Sequence, residues 1–137
     1  MSVAKLQTLS QSQDPKAALF ASLGDLSDVQ VYSGRVLVAI YISPEKTSGG
    51  IIRPTSAIRE DVWQGTIGLV VKKGPLAFQD DDSHKFQGQT VEVGDWVMFR
   101  PGDTTRLQIR ELNCRIVEDV LIQMKISDPE IITYRSL

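Results

Sequence analysis

The stretch "VLVAIYISPEKTSGGIIRP", residues 36–54, changes character halfway along. From Val36 to Ile42 every position is apolar, so no alternation marks a wet face. Such a strand is buried on both sides, as in a small barrel or at an interface. From Ser43 the chemistry reverses. Ser43-Pro44, Thr47-Ser48 and Pro54-Thr55 disfavour regular structure, and Gly49-Gly50 costs entropy to fix. Two isoleucines, Ile51 and Ile52, stand directly after that hinge, followed by Arg53 and Pro54. The connection runs without a period of its own from Ser43 to Gln64, beyond the ~12–15 residues above which an irregular loop is usually functional or disordered. Ile51 and Ile52 either pack on the protein's own body or wait for a partner.

Downstream the pattern stays β. "GTIGLVVKKG" (65–74) predicts a strand from Thr66 to Lys72, with Gly68 at a bend or bulge. "TVEVGDWVMFRPGD" (90–103) holds a short run, a turn at Gly94-Asp95 and a strand from Trp96 to Arg100, closed by Pro101-Gly102-Asp103. "RLQIREL" (106–112) alternates with period two, which places Leu107, Ile109 and Glu111 on one face and Gln108, Arg110 and Leu112 on the other. A last strand follows Glu118 and ends at Asp128-Pro129. Short strands with regular turn signals predict a small all-β barrel. The long connection from Lys73 to Thr90 carries Leu76, Phe78 and Phe86 and reads as a hairpin-like excursion with an acidic tip at Asp80, Asp81 and Asp82.

Upstream, residues 1–13 are rich in Ser and Gln and read as an arm. Asp14, Pro15 and Gly24 then frame one short helix as N-cap, first helical residue and C-terminal stop. Leu19, Phe20 and Leu23 give it an apolar stripe, and a helix this short must dock on something. The expected organisation is an N-terminal arm with its helix over 1–33 and a barrel domain over 34–137.

The chain has 137 residues, enough for one domain with a real core. A formal net charge of −2, with Lys and Arg scattered, lacks the basic stripe of a nucleic-acid surface. No apolar run approaches the ~20 residues of a membrane span, and the N-terminus has no secretory apolar core. The single cysteine, Cys114, allows no intrachain disulfide. These features predict a soluble protein, cytoplasmic or bound in an assembly.

Four blocks together, "VLVAIYISPEKTSGGIIRP", "GTIGLVVKKG", "VEVGDWVMF" and "EDVLIQMKISDPEII" (118–132), stand in an order and spacing that resemble the GroES-like co-chaperonins, the lids of barrel-shaped chaperonins. The match runs from about Gly34 to the C-terminus. The resemblance implies a small irregular antiparallel GroES-like β-barrel with a long flexible loop, a roof-like hairpin and, in this chain, an added N-terminal helix. It implies a homo-oligomer, a heptameric ring in the family, whose neighbours join by terminal strands near Val36 and after Asp128. It also implies a chaperonin ring as partner, bound through Gly49, Gly50, Ile51, Ile52, Arg53 and Pro54, with ATP held by that partner. The hairpin bearing Asp80, Asp81, Asp82 and His84 would form the roof and line the central opening.

The loop has the energetics that a reversible lid needs. Burying each isoleucine contributes about 1.5–3 kcal/mol, whereas ordering the backbone costs about 1–2 kcal/mol per residue. One loop therefore binds weakly, and a ring of loops binds by avidity. Arg53 departs from the family, which places Leu there. A guanidinium enters an apolar groove only if it meets a carboxylate, so either the partner groove offers an acid at that point or this loop no longer caps a standard chaperonin.

The remaining candidates have plain readings beside the sharp ones. His84 and the neighbouring aspartates could hold a metal, but a charge run usually faces water, and "DDDS" lacks the calcium-loop pattern. Cys114, between Asn113 and Arg115, is read at a strand edge or turn; it would need a base to act as a nucleophile, and His84 is the only histidine, so a structural cysteine is expected. Trp96 starts a strand and is read as packing, while Trp63 at the end of the long loop could anchor an interface. "KKGP" (72–75) has no phosphate-loop spacing. No catalytic, cofactor or metal constellation is expected, and no enzyme. Two functions stay open. One is a co-chaperonin that caps a chaperonin ring and assists folding. The other is a phage or virion structural protein that reuses the barrel, with arm and loops clamping neighbouring subunits.

Overall fold

The computed structural model describes residues 14–41 and 67–132. The chain opens with a helix, α1 (Pro15–Leu23). Its start and stop are those that the cap residues dictate. The Asp14 side chain accepts from the Lys16 N–H at 3.4 Å, Pro15 is the first helical residue, and Gly24, at φ 71°, donates its N–H to Phe20 O at 3.0 Å.

Six strands follow: β1 (Arg35–Ile40), β2 (Ile67–Lys73), β3 (Trp96–Phe99), β4 (Thr105–Ile109), β5 (Leu112–Glu118) and β6 (Ile122–Ile126). All pairings are antiparallel, in one sheet of order β4-β5-β1-β2-β3-β6. Val117 of β5 and Ile122 of β6, from distant parts of that order, share one apolar cluster with Val36, Val38, Val70, Val97 and Phe99. The sheet therefore wraps around its own contents, which gives the expected irregular all-β barrel.

The apolar run of β1 is explained by its two faces. Val36, Val38 and Ile40 point into the barrel, and Leu37 and Ala39 point outward. The outward residues are nonetheless buried, in a second cluster with Ile67, Leu69, Val71, Trp96 and Cys114. Leu23 of α1 is itself a member of that cluster, and packed against it are Leu19 and Phe20 of α1 and Leu26, Val29 and Val31 of the following segment, together with Leu107, Ile109, Leu112 and Ile116 of β4 and β5 and, further on, Ile126 and Ile132. Leu23 has no exposed surface at all. The helix docks, as its length demands, and its seat is β2.

Side chains from the barrel fasten the same segment. Arg110 Nη1 donates to Leu23 O, placing a cation on the carbonyl end of α1, where the helix dipole favours it. Lys72 Nζ donates to Val29 O at 2.6 Å.

Several local expectations are corrected. Gly68 is not at a bulge. The register slip lies between Leu37 and Val38, opposite β2, and Gly68 is required because a Cβ there would stand 2.9 Å from the Cβ of Val38. The alternation over 106–112 is broken by a tight turn at Arg110 and Glu111, with φ of 48° and 72°, so β4 and β5 form a hairpin. Cys114 accordingly lies within β5, opposite Leu107 and Ala39, and not at a strand edge or turn. Val36 is fully buried with both strand edges paired, to β2 and to β5.

Candidate functional site

The stem of the long loop is a built structure. The Tyr41 N–H donates to Ile67 O at 3.0 Å, so the last described residue before position 42 and the first after position 66 lie side by side. The Tyr41 ring meets the Trp96 indole edge to face, with centroids 5.3 Å apart. Trp96 is opposite Leu69 in the β2–β3 pair, and Ile40 is opposite Gly68 in the β1–β2 pair. Tyr41, Ile67 and Trp96 all belong to the outer apolar cluster. Gly49, Gly50, Ile51, Ile52, Arg53, Pro54 and Trp63 lie outside the described residues.

Several contacts hold the excursion after β2 at its base. Asp119 Oδ2 accepts from Phe78 N at 3.0 Å. The rings of Phe78 and Phe86 meet edge to face at 5.5 Å. Lys73 Nζ lies 5.9 Å from the Phe78 ring centroid and donates to Val91 O at 2.9 Å. Phe78 takes a φ of 63°, a strained value for an aromatic residue, and the Asp119 bond holds it there. The chain turns back on itself through successive tight turns, with no strand pairing between Gly74 and Asp95.

At the tip the aspartates work on the backbone. Asp81 Oδ1 accepts from Ser83 N at 2.7 Å and from His84 N at 2.6 Å, and Asp80 Oδ1 accepts from Phe86 N at 2.7 Å. The backbone donors of His84 and then Ser83 hold the Asp81 carboxyl below its ordinary value. His84 Nδ1 stands 3.7 Å from Asp81 Oδ1, and Asp82 is exposed. Among the described residues no three His, Cys, Asp or Glu side chains gather as a metal set. The acidic run folds a turn through the Asp80 and Asp81 carboxylates.

Cys114 is buried, and burial pushes its thiol up to about 11, the wrong direction for a nucleophile. Its Sγ donates weakly to Leu112 O at 3.6 Å. Arg115, also buried, spans the β3–β4 connection through Pro101 O at 3.0 Å and Thr104 Oγ1 at 2.7 Å. Among the described residues no helix is long and apolar enough to cross a membrane.

Sequence reasoning missed Tyr41 and Asp119. Tyr41 was legible only as one more apolar position, although it ends the run just before Ser43-Pro44. Asp119 carries no motif, since its partner Phe78 is remote in sequence.

The described parts are a barrel in which the end of β1 and the start of β2 lie side by side, a turn-built excursion after β2, and a closing β6. The family model for the chaperonin 10 Kd subunit, Cpn10, matches residues 28–126, which span all of these elements and exclude α1. The chain belongs to the Cpn10 family, the GroES-like co-chaperonins.

Proposed function

We propose that the chain is a lid subunit that caps a chaperonin ring through residues 49–54 and so assists protein folding. Family membership supports a co-chaperonin role in general and, with it, a chaperonin partner and self-association. The observation that carries the finer reading is the stem: Tyr41 and Ile67 share a hydrogen bond against Trp96, so both ends of the loop rise from one rigid point. Ile51 and Ile52 are the apolar anchors, and Arg53 meets a carboxylate on the partner. The chain supplies no chemistry of its own, and ATP turnover belongs to the partner. The excursion bearing Asp80, Asp81, Asp82 and His84 is the roof.

The test is to mix the purified protein with a chaperonin and ATP, then score ring capping and refolding of a stringent substrate. Capping by the wild type, weakened in Arg53→Leu, supports the proposal. No capping by the wild type removes it, and capping gained only in Arg53→Leu does so too.

One observation favours a second role, as a structural subunit of a phage or other particle. Residues before 28 lie outside the family match, yet α1 is built into the barrel through Leu23 and Arg110. A barrel so extended suits a clamp on neighbouring subunits. Recovery at fixed stoichiometry in purified particles would support that role.

A further inference from the structure

We infer that α1 is a positioning element for the stem of the long loop, so that the arm outside the family match sets how firmly the loop's two ends are held. The functional consequence rests on the loop's proposed role in partner binding; the mechanical claim does not.

The reasoning starts from continuity of packing. α1 seats on β2, the strand whose first residue, Ile67, accepts the Tyr41 N–H. Leu19, Phe20 and Leu23 of α1 belong to the same apolar cluster as Tyr41, Ile67 and Trp96. The barrel interior is a separate cluster, containing Val117 and Phe99 but none of the α1 residues. The stem therefore has its packing on the face that the arm covers. If α1 is lifted, the cluster that contains Ile67, Leu69 and Val71 of β2 loses Leu19, Phe20 and Leu23, while Val70 keeps its interior neighbours. Close-packed interiors transmit such a loss to adjacent side chains, because contacts are forfeited over sub-ångström gaps.

The attachment of α1 is also specific in position. Arg110, at the tip of the β4–β5 turn, reaches the last carbonyl of the helix, and Lys72 of β2 holds Val29 O beyond it. Two cations thus fix the arm at the helix C-terminus and at the link to β1. Arg110 and Leu23 are positioning residues: neither is placed at the loop, and each acts on it through the cluster.

The experiment reads amide exchange in the full chain. In Leu23→Ala, the Tyr41 amide should exchange about tenfold faster or more, as a locally loosened unit does, while interior amides such as Val97 change far less. Val117→Ala, a truncation in the interior cluster, should not single out Tyr41. Arg110→Asn removes the guanidinium and suits the positive φ at that turn, so it keeps the test open if Leu23→Ala fails to fold. It should give the same pattern in weaker form. Equal acceleration at all amides, or an unchanged Tyr41 amide in both arm variants, overturns the inference. The exchange measurement needs no chaperonin, so its outcome is separate from that of the capping assay. Where wild-type capping is seen, the arm variants should weaken it.

Discussion

Asp119 Oδ2 accepts the Phe78 N–H at 3.0 Å, and its own N–H donates to Gly34 O at 2.8 Å. One residue thereby joins the start of β1, the base of the excursion and the turn before β6. Gly34 is confined by the same carboxylate, since a Cβ there would lie 2.7 Å from Asp119 Oδ2. Asp119→Ala leaves the Phe78 amide without its acceptor in a partly buried site and should cost about 1–3 kcal/mol. Urea melts followed by fluorescence would show the lowered midpoint, and the Phe78 amide should lose exchange protection more than those of β5.

Gly68→Ala tests the close approach of β1 and β2 at the stem. The new Cβ would meet Val38 Cβ and Cγ2 at 2.9 Å, and Val38 has no exposed surface to move into. Overpacking of this kind should cost about 1–3 kcal/mol. Because Ile40 pairs with Gly68, the strain falls next to Tyr41. Thermal unfolding gives the stability change. Stem damage beyond it would appear as altered near-UV circular dichroism from Tyr41 and Trp96.

These two positions show what the sequence could and could not convey. The apolar run of β1 announced burial on both faces, and Asp14, Pro15 and Gly24 announced the helix, because both signals are local. What covered the outer face of β1 was not legible, since the contact between Leu23 and the barrel joins distant residues. Gly68 invited a bulge because an isolated strand glycine usually marks either a bulge or a close approach, and sequence cannot separate the two. The Arg110-Glu111 turn was hidden for another reason: it has none of the Gly or Asn residues that normally supply positive φ, and period two runs straight across it. Missing that turn put Cys114 at an edge. The loop residues 49–54 were nominated by resemblance and chemistry, and the structure supplies only the stem from which they depart.

Cys114 predicts an alkaline instability. Burial raises its thiol to about 11 in the folded protein, above the ordinary value that the unfolded chain regains. Below pH 9 both states keep the proton and the full stability is present. Between about 9 and 11 the unfolded thiol ionises first, the unfolded state binds fewer protons, and stability falls as pH rises. The loss should be on the order of 2 kcal/mol across that window. Cys114→Ala should start less stable at pH 7, because it leaves a cavity, yet show a flatter alkaline limb in urea melts at pH 8, 9.5 and 11. Disulfide reagents at pH 8 should label the folded wild type slowly and the urea-unfolded chain at once.

Asp81 predicts a structural and not a ligand role for the acidic tip. Its carboxylate is committed to the backbone of Ser83 and His84. Asp81→Ala should speed amide exchange at both residues while leaving β1 and β5 unchanged. Because backbone donors hold the carboxyl below its ordinary value, the turn should persist down to moderately acidic pH and open only as Asp81 protonates. Millimolar calcium or zinc should leave the amide resonances of residues 80–84 in place; saturable shifts there would contradict the assignment.

The proposed lid function predicts a steep dependence on the number of competent loops. Ile52→Ala removes most of one anchor, worth about 1.5–3 kcal/mol if fully buried in the partner. Each loop also pays about 1–2 kcal/mol per residue ordered, so a single loop sits near break-even and a ring depends on the sum. Subunits of wild type and Ile52→Ala mixed at set ratios should form rings whose affinity for a chaperonin falls roughly tenfold or more for every variant subunit included. The logarithm of affinity should therefore decline in proportion to the variant fraction, with no plateau. A clamp in a static particle gives a different curve, because each contact is then local and one defective subunit leaves its neighbours' contacts intact. An affinity insensitive to the mixing ratio would place Ile52 outside the partner interface, packed on its own chain.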